Sequence, residues 1–390
     1  MTADPLAFLL SAAALGQAIL CVVLLITRTG QDRHRRWLAL SFMGLGVLAL
    51  GPVSAALFAP LYPLAMGLVL VALYALPVLF WLYTREVTNL PDADPVAVSW
   101  KHMIAPVSGL AGLAAILSLP AETREAMLFS GTLDESSHAE AVALLIFVLV
   151  IGWTPVSTGY ALAIQRRLIR HRRLLRENVS NTDGRDLIWL SGIILVIAII
   201  WGSAVILLLL DNLVADLAPP ASLGPLMLLT LIMALSLRGL DQGYAFTPPP
   251  GRNLSASAAE ETETFRKYRK SALSDDDAKR IAQRLEDAMQ QDRLYLDPNL
   301  SLTKLARHVR VASNHVSQTL NEALEETFFD YVNRWRIEAA LPHIAEGKET
   351  VLTIALDVGF NTRSTFYTAF KRVTGMTPRA YRETAKKTAG

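Results

Sequence analysis

Cysteine and metal-binding patterns are nearly missing from this sequence of 390 residues. Cys21 is the only cysteine, which excludes a disulfide framework and a thiolate metal site. The seven histidines never stand at the spacing of metal ligands. No phosphate-binding loop, serine-hydrolase elbow, zinc-peptidase motif or dinucleotide-binding glycine pattern occurs either. We therefore expect no enzyme, no metal and no cofactor.

Charge is the second shortage. Charged residues make up 18% of the sequence, against about 25% in an ordinary soluble domain. Before residue 238, apolar residues gather into seven runs that contain no Asp, Glu, Lys, Arg or His. Runs of this length, about 16 to 24 residues, are near what a helix needs to cross a bilayer. They predict a seven-helix transmembrane bundle over residues 1–238, with runs at 6–26, 37–58, 64–84, 103–119, 141–164, 187–210 and 222–237.

Basic residues lie almost entirely on one side of these predicted spans. Short cytoplasmic loops of membrane proteins carry an excess of Lys and Arg. The loops on the opposite side contain Arg124 alone. This bias predicts an N-terminus outside the membrane and everything after Arg238 in the cytoplasm. The thirteen basic residues of the predicted cytoplasmic loops are Arg28, Arg33, Arg35, Arg36, Arg85, Lys101, Arg166, Arg167, Arg170, Arg172, Arg173, Arg176 and Arg185.

Polar features inside the runs are few. Ionisable residues within a bilayer usually mark ion or proton pathways, so their absence counts against a pump or an ion-coupled transporter. Pro77 and Pro155 lie well inside their runs, where proline is expected to kink a helix. Four aromatic residues fit either packing and interfacial anchoring or the lining of a ligand cavity, namely Trp153, Tyr160, Trp189 and Trp201.

A change of composition predicts a linker at 239–273. Its Pro-Pro-Pro-Gly stretch at 248–251 prevents regular structure. Residues 266–270 form a basic cluster, which fits either contact with anionic headgroups or the solvated start of a helix. Ser274 precedes three aspartates in the pattern of a helix N-terminus, and this helix is predicted to run to about Gln291.

Residues 300–324 have the pattern of a helix, a turn and a second helix. Leu305 and Ala306 belong to the buried face of the first helix, and Val316 and Leu320 to that of the second. Asn and Gln suit bidentate contact with adenine, while Ser and His can reach bases or phosphates. The residues predicted to face DNA are Asn314, His315, Ser317, Gln318 and Asn321.

A long helix is predicted from about Phe328 to Ile344. Its apolar positions indicate a helix that joins two units. Arg336 is predicted to be exposed or to face a phosphate. Pro342 is predicted to bend this helix or end it early.

A second helix-turn-helix pattern follows at 354–382. Gly359 fits the left-handed backbone of a tight turn, and Gly375 ends the second helix. Phe366 and Phe370 stand four residues apart and are predicted to anchor one helical face in the core. The residues then left to face DNA are Arg363, Ser364, Thr365, Tyr367, Thr368 and Lys371.

Together with Leu300-Ser301-Leu302 and Tyr331-Val332-Asn333, these ordered positions resemble the AraC/XylS-type DNA-binding domain. The resemblance covers about 268–385, and we place the domain itself at 274–385. It implies two recognition helices, held by the long helix, that enter successive major grooves on one face of DNA. It also implies that the residues named above include those that contact bases.

Three positions depart from the family pattern. Arg310 and Glu325 stand where the family often has glycine, and Ala312 where it often has serine. A non-glycine residue in a left-handed conformation costs roughly 1 kcal/mol, so the first unit is expected either to be less stable or to have a remodelled turn. Ser313 is predicted to cap its helix in place of Ala312.

These features predict an all-α, membrane-embedded one-component transcription regulator of the bacterial inner membrane, whose bundle senses a signal of unidentified chemistry. Residues 301–390 hold 13 Lys and Arg and 9 Asp and Glu, a modest excess, so two copies are expected to act together. The expected partners are double-stranded DNA, the lipid bilayer, a second copy and the transcription machinery. The alternatives are a transporter or channel with a regulatory DNA-binding tail, and a membrane enzyme that acts on lipid.

Overall fold

The computed structural model describes residues 4–27, 33–89, 98–130, 132, 136–181, 186–213, 220–240 and 274–389. Predictions for Arg28, Arg185 and linker residues 241–273, including the basic cluster, lie outside the described residues. The regular elements of the described ranges are helical, in agreement with the predicted all-α fold. Two compact units form, one from residues 1–169 and 187–247, the other from 170–186 and 248–390.

Each predicted apolar run of the first unit is helical, while the short helix Ala121–Glu125 lies outside the runs and the helix Ser137–Asn178 extends beyond its run. The second run is divided between two helices, because Pro52 lacks the N–H that would continue the preceding helix. The helices are α1 (Pro5–Thr27), α2 (Arg33–Leu48), α3 (Leu50–Leu57), α4 (Tyr62–Val87), α5 (Ile104–Ser118), α6 (Ala121–Glu125), α7 (Ser137–Asn178), α8 (Ile188–Leu213) and α9 (Leu223–Gly239).

Fewer of these helices than seven have the length and composition of a membrane span. Within the described ranges four segments qualify, Pro5–Thr27, Ala59–Val87, Trp100–Ser118 and Ser137–Asn178. A fifth is added if α2 and α3, which meet at 45°, count as one span. Ile188–Ile199 and Leu223–Gly239 are shorter apolar helices. The apolar runs are thus confirmed as helical, whereas the predicted number of spans is not reached by this measure.

The two prolines predicted to kink helices of the first unit lie inside continuous helices. α4 runs through Pro77 and α7 through Pro155. Of the four aromatic residues with two predicted roles, Trp153 is buried and Trp189 packs against the main core. The side chain of Trp201 lies outside the described residues.

The second unit contains two small apolar cores joined by one long helix. Leu285, Leu305, Val316 and Leu320 belong to the first core, and Ile354, Phe366 and Phe370 to the second. Both cores include residues of the long helix, which confirms its predicted bridging position. The helices are α10 (Asp275–Gln290), α11 (Leu302–His308), α12 (Ser313–Gln318), α13 (Phe328–Glu346), α14 (Val351–Asp357), α15 (Arg363–Thr374) and α16 (Pro378–Ala389).

Two predicted helix ends in this unit can be compared with the structure. The Ser274 side chain accepts a hydrogen bond from the Asp277 N–H, so the predicted cap of α10 is confirmed. The prediction that Pro342 ends the bridging helix early is wrong, because α13 continues to Glu346. Gly347, with φ of 69°, caps it instead.

Arg336 of α13 is buried, and the prediction of an exposed or phosphate-facing charge is wrong. Its side chain is 1% exposed. Nε donates to the Tyr295 carbonyl at 2.7 Å and Nη2 to the Asp297 carbonyl at 2.8 Å. Its guanidinium carbon also lies 5.5 Å from the ring centre of Phe360, in the second core. One charged side chain therefore joins the loop before α11 to the turn before α15.

Residues 170–186 contribute to this arrangement. Ser180 is buried, and its N–H and hydroxyl both donate to the Leu300 carbonyl, at 3.2 and 2.7 Å. Nη2 of Arg336 donates to the Ser180 hydroxyl oxygen at 3.3 Å. Beside it, Val179 and Ser301 form an isolated antiparallel bridge. This segment precedes the linker in sequence but belongs to the second unit in space.

Candidate nucleic-acid interface

α14 and α15 form the second helix pair, and the turn between them depends on Gly359. Its φ of 92° lies in the left-handed region. A Cβ at this position would stand 2.6 Å from the Tyr295 carbonyl oxygen and 2.9 Å from that of Leu296. Both the conformation and the close approach require glycine. The prediction for Gly359 is therefore confirmed.

α15 is defined at both ends by its own sequence. The Thr362 side chain accepts a hydrogen bond from the Thr365 N–H at 3.3 Å and caps the N-terminus. Gly375, with φ of 76°, caps the C-terminus as predicted. These caps satisfy backbone groups that a helix leaves without partners at its ends.

One face of α15 is fixed in the core. Phe366 and Phe370 are buried with ring centres 5.5 Å apart, which confirms their predicted role. Phe360 meets Phe366 edge to face at 5.3 Å. Arg372 forms an ion pair with Asp330 of α13. The rotation of α15 about its axis is thereby set, and with it the residues that remain outside.

The predicted DNA-facing residues of α15 are not buried, although the Tyr367 ring packs against the edge of the second core. Arg363, Ser364, Thr368 and Lys371 are exposed, whereas Thr365 and Tyr367 are half-buried. No Asp or Glu occurs along α15. The side chains of this face are therefore cationic or neutral hydrogen-bonding groups, and the helix N-terminus adds a partial positive charge.

Arg363 and Tyr367 act as a pair on this face. A guanidinium N–H donates to the tyrosine hydroxyl at 3.0 Å, and the guanidinium carbon lies 5.0 Å from the ring centre. The contact restricts a side chain that otherwise has several rotamers. It also leaves other guanidinium N–H groups for a second acceptor.

α11 and α12 form the first helix pair, whose turn is built without glycine. Arg310, with φ of 55°, occupies a left-handed conformation, as does Glu325 after α12, with φ of 54°. These are the two positions at which the sequence departs from glycine, and both adopt the left-handed conformation that costs a non-glycine residue roughly 1 kcal/mol. The predicted cap at Ser313 is wrong, because Ala312 is the N-cap residue and supplies no side-chain hydrogen bond.

The predicted residues of α12 and of the π-helical turn that continues it, Thr319–Ala323, are less uniformly accessible than those of α15. Asn321 is exposed, while Asn314, Ser317 and Gln318 are half-buried. The Gln318 side chain donates to a Glu322 carboxylate oxygen at 2.8 Å. Asn321 donates to the Ser317 carbonyl at 2.8 Å. These local hydrogen bonds restrict the orientation of both amides, while their carbonyl oxygens are not used by these bonds.

His315 differs from the other predicted residues of α12. It is half-buried, and its Nε2 is enclosed with no hydrogen-bond partner among the described residues. Arg310, which sequence reasoning treated only as a departure from glycine, is exposed immediately before α12. Its position in the turn, two residues before the N-cap, is the signal that could have identified it as a candidate phosphate contact.

Comparison with known proteins agrees with this geometry. Residues 305–384 match the family model described as a helix-turn-helix domain. The C-terminal unit contains a helix-turn-helix domain. The matched residues include both helix pairs and the bridging helix α13.

The similar proteins share this helix-turn-helix part. An uncharacterized HTH-type transcriptional regulator of Staphylococcus aureus strain COL is 32% identical over 112 residues, which are 29% of this chain and 14% of that protein. A Streptomyces lividans protein whose name describes it as AraC-like is 36% identical over 92 residues, 23% of this chain and 30% of that protein. The C-terminal domain of AraT, a response regulator from Geobacillus stearothermophilus, is 27% identical over 29% of this chain and 88% of that chain, with a TM-score of 0.25. The chain thus spans 14% to 30% of the two curated relatives.

Proposed function

We propose that this chain is a membrane-embedded transcription regulator that binds double-stranded DNA through both helix pairs. The observation that carries the proposal is the face of α15, which is held rigidly by its caps and core contacts and contains no acidic residue. A capped helix of this kind fits the major groove, where its side chains can contact base edges.

The chemistry of α15 assigns a role to each part of its face. Arg363 is held by Tyr367 in position for bidentate contact with guanine. Ser364 and Thr368 supply short hydroxyls for bases or phosphates, and Lys371 a phosphate contact. In the first helix pair, Arg310 adds a phosphate contact, while the amides of α12 contact adenine. We expect a less regular contribution from the first pair, because its turn is strained and its amides already have partners.

Lipid is the proposed environment of the first unit. Large apolar side chains more than half exposed occur along its helices, for example Leu9, Ile26, Val107, Leu144 and Ile199. Soluble proteins rarely expose apolar surface on this scale, whereas a bilayer covers it. We propose that α8, α9 and the bent pair α2–α3 also cross the bilayer, which gives seven spans.

The proposed orientation has the N-terminus outside and the helix-turn-helix domain in the cytoplasm; it rests on the distribution of basic residues, and one contact supports the grouping of two of the loops on one side. Arg167 of α7 donates to the Thr88 hydroxyl oxygen at 2.7 Å and to the Asn89 side-chain oxygen at 2.8 Å. Thr88 and Asn89 follow the third predicted span, and Arg167 follows the fifth. Both belong to loops that the distribution of basic residues places in the cytoplasm, so their contact fits one side of the membrane.

We further propose that the bundle senses a signal and that two copies act together on DNA. Each recognition helix offers few cations, and phosphate neutralisation sets much of the affinity. A second copy raises occupancy through effective concentration.

DNA binding is tested with the full chain in lipid nanodiscs. Chromatin immunoprecipitation of the native protein supplies a target site, and footprinting on that site compares Arg363→Ala with Arg284→Ala, which removes an exposed arginine of α10. Loss of one bidentate guanine contact is expected to weaken binding about 5- to 150-fold. The control is expected to bind normally. Equal footprints for both variants would contradict the proposed position of α15.

A further inference from the structure

The first unit contains a cleft between α4, α7 and α8, which we name the α4–α7–α8 cleft. Pro77 and Phe80 line it from α4, Thr154 and Tyr160 from α7, and Gly202 from α8. The cleft is partly open on one side, so its roughly 540 Å³ of space not filled by atoms includes open solvent. Concave sites between helices of a bundle are common places for small ligands.

Two hydrogen bonds fix the edge of this cleft. Pro77 has no N–H, so the Leu73 carbonyl lacks its usual helical donor. Trp153 of α7 supplies one, because its Nε1 donates to that carbonyl at 2.7 Å. One residue along α4, the Tyr74 hydroxyl donates to the Leu149 carbonyl, also at 2.7 Å. These two hydrogen bonds therefore join α4 to α7 beside the cleft.

One polar group of the cleft has no partner. The Thr154 Oγ1 is buried and makes no hydrogen bond within the described residues. Two neighbouring hydroxyls are already occupied, since Ser157 donates to the Thr154 carbonyl at 3.0 Å and Tyr160 pairs with Nδ1 of His102 at 2.8 Å. A buried hydroxyl without a hydrogen-bond partner costs free energy, and a ligand that accepts a hydrogen bond from it would remove this cost.

The rest of the lining limits the ligand to an uncharged molecule. The residues that line the cleft include none that ionises near neutral pH. Ile164, Ile194 and Ile197 add apolar surface. A charged ligand would lose its hydration here without a counter-charge. Gly202 leaves room on the α8 side, because a Cβ at that position would meet no atom within 4 Å.

We propose that the α4–α7–α8 cleft binds a small uncharged amphiphile. Its apolar chain packs against the aromatic and aliphatic lining, and its hydroxyl, carbonyl or ester oxygen accepts a hydrogen bond from Thr154. This inference rests on the proposed sensory function, for which it names the site and the chemical class of the signal.

Photolabelling of the full chain tests the site directly. The chain is placed in nanodiscs of phosphatidylethanolamine and phosphatidylglycerol, and the probe is a decanol that carries a diazirine. Labelled peptides are mapped by mass spectrometry. We expect labels at the cleft residues of α7 and α8, displaced by excess decan-1-ol and far less by decane or decanoate. Dioleoylglycerol as a further competitor distinguishes a membrane lipid from a free small molecule as the source of the ligand.

Matched variants separate filling of the cleft from a general change in α8. Gly202→Leu places a side chain in the empty space, whereas Gly192→Leu alters an exposed glycine of the same helix that does not line the cleft. Labelling is expected to fall at least tenfold in the first and to stay constant in the second. Thr154→Val preserves shape and removes the hydroxyl, and competition by decan-1-ol is expected to weaken about fivefold.

Labels spread over the helices and unaffected by Gly202→Leu would overturn the proposal. Equal displacement by decane and decan-1-ol, or no effect of Thr154→Val, would overturn the role of the hydroxyl. Promoter occupancy in cells exposed to decan-1-ol distinguishes a cleft that only binds the ligand from a cleft through which the protein senses it. If the cleft is labelled but occupancy does not change in either the native chain or Gly202→Leu, the sensory function fails while the binding site stands.

Discussion

Replacement of Arg336 is the sharpest test of how the second unit is held together. Arg336→Met preserves much of the side-chain volume but removes the hydrogen bonds to the Tyr295 and Asp297 carbonyls. A hydrogen bond from a charged donor contributes roughly 1.5 to 3 kcal/mol. Part of this contribution offsets the free-energy cost of burying the guanidinium charge. The same burial lowers the pKa of Arg336 to about 10, although the Asp297 carboxylate acts to raise it. We therefore expect the free energy of unfolding to fall by about 2 to 4 kcal/mol.

Hydrogen exchange of the full chain in nanodiscs measures this change locally. Amides of α13 that exchange through global opening of the second unit should exchange about 30 to 1,000 times faster in Arg336→Met. Arg334→Met is the matched control, since this neighbouring arginine is one-third exposed and pairs with Glu326 and Glu338. Exposed pairs contribute about 1 kcal/mol or less. An effect of Arg336→Met no larger than that of the control would refute the proposed role of Arg336 in holding the second unit together.

Three further predictions concern the turns and the pH dependence of this unit. Gly359→Ala should destabilise the second unit by more than about 2 kcal/mol in thermal unfolding. Gly375→Ala, whose added Cβ would meet open space, should destabilise it by about 1 kcal/mol. Equal losses would show that the close approach at Gly359 is unimportant. Glu325→Gly should raise the free energy of unfolding by about 0.5 to 1 kcal/mol, and a decrease would mean that its left-handed backbone is not strained. Burial raises the pKa of Asp297, but hydrogen bonds from Lys304 and a backbone N–H outweigh burial and hold the pKa below its usual 3.8. The stability that the Asp297 carboxylate contributes above pH 3.8 is therefore lost as the pH falls through the lowered pKa. Lys304→Met should move the acid unfolding midpoint upward, and an unchanged midpoint would contradict this pairing.

Features set by a few neighbouring residues were predictable from the sequence. The limits of α15 follow from Thr362 and Gly375, and its buried face from the spacing of Phe366 and Phe370. The left-handed backbone at Glu325 was predictable because it depends on the turn and not on distant contacts. Such features use interactions within about one helical turn, which the sequence displays directly.

Features set by distant contacts were not predictable in this way. Arg336 stands at a position of α13 that spacing leaves ambiguous, and it is buried because residues 295–297 and Phe360 cover it. Charged residues are almost never fully buried unless paired, so exposure was the expected state. Ser313 was expected to cap α12, but the turn at Arg310 places Ala312 at the boundary. The number of helices long enough to span a membrane depends on where each helix breaks, which apolar runs alone do not define.

The contact of Ser180 with Leu300 changes how this protein should be cut for biochemistry. An expression fragment that starts at Ser274 keeps every element of the family pattern but deletes the residue that caps the Leu300 carbonyl and meets Arg336. Supplying residues 170–186 as a synthetic peptide, or grafting them ahead of α10, should restore what such a fragment loses. A recombinant fragment of this domain therefore needs two segments that are separated along the gene.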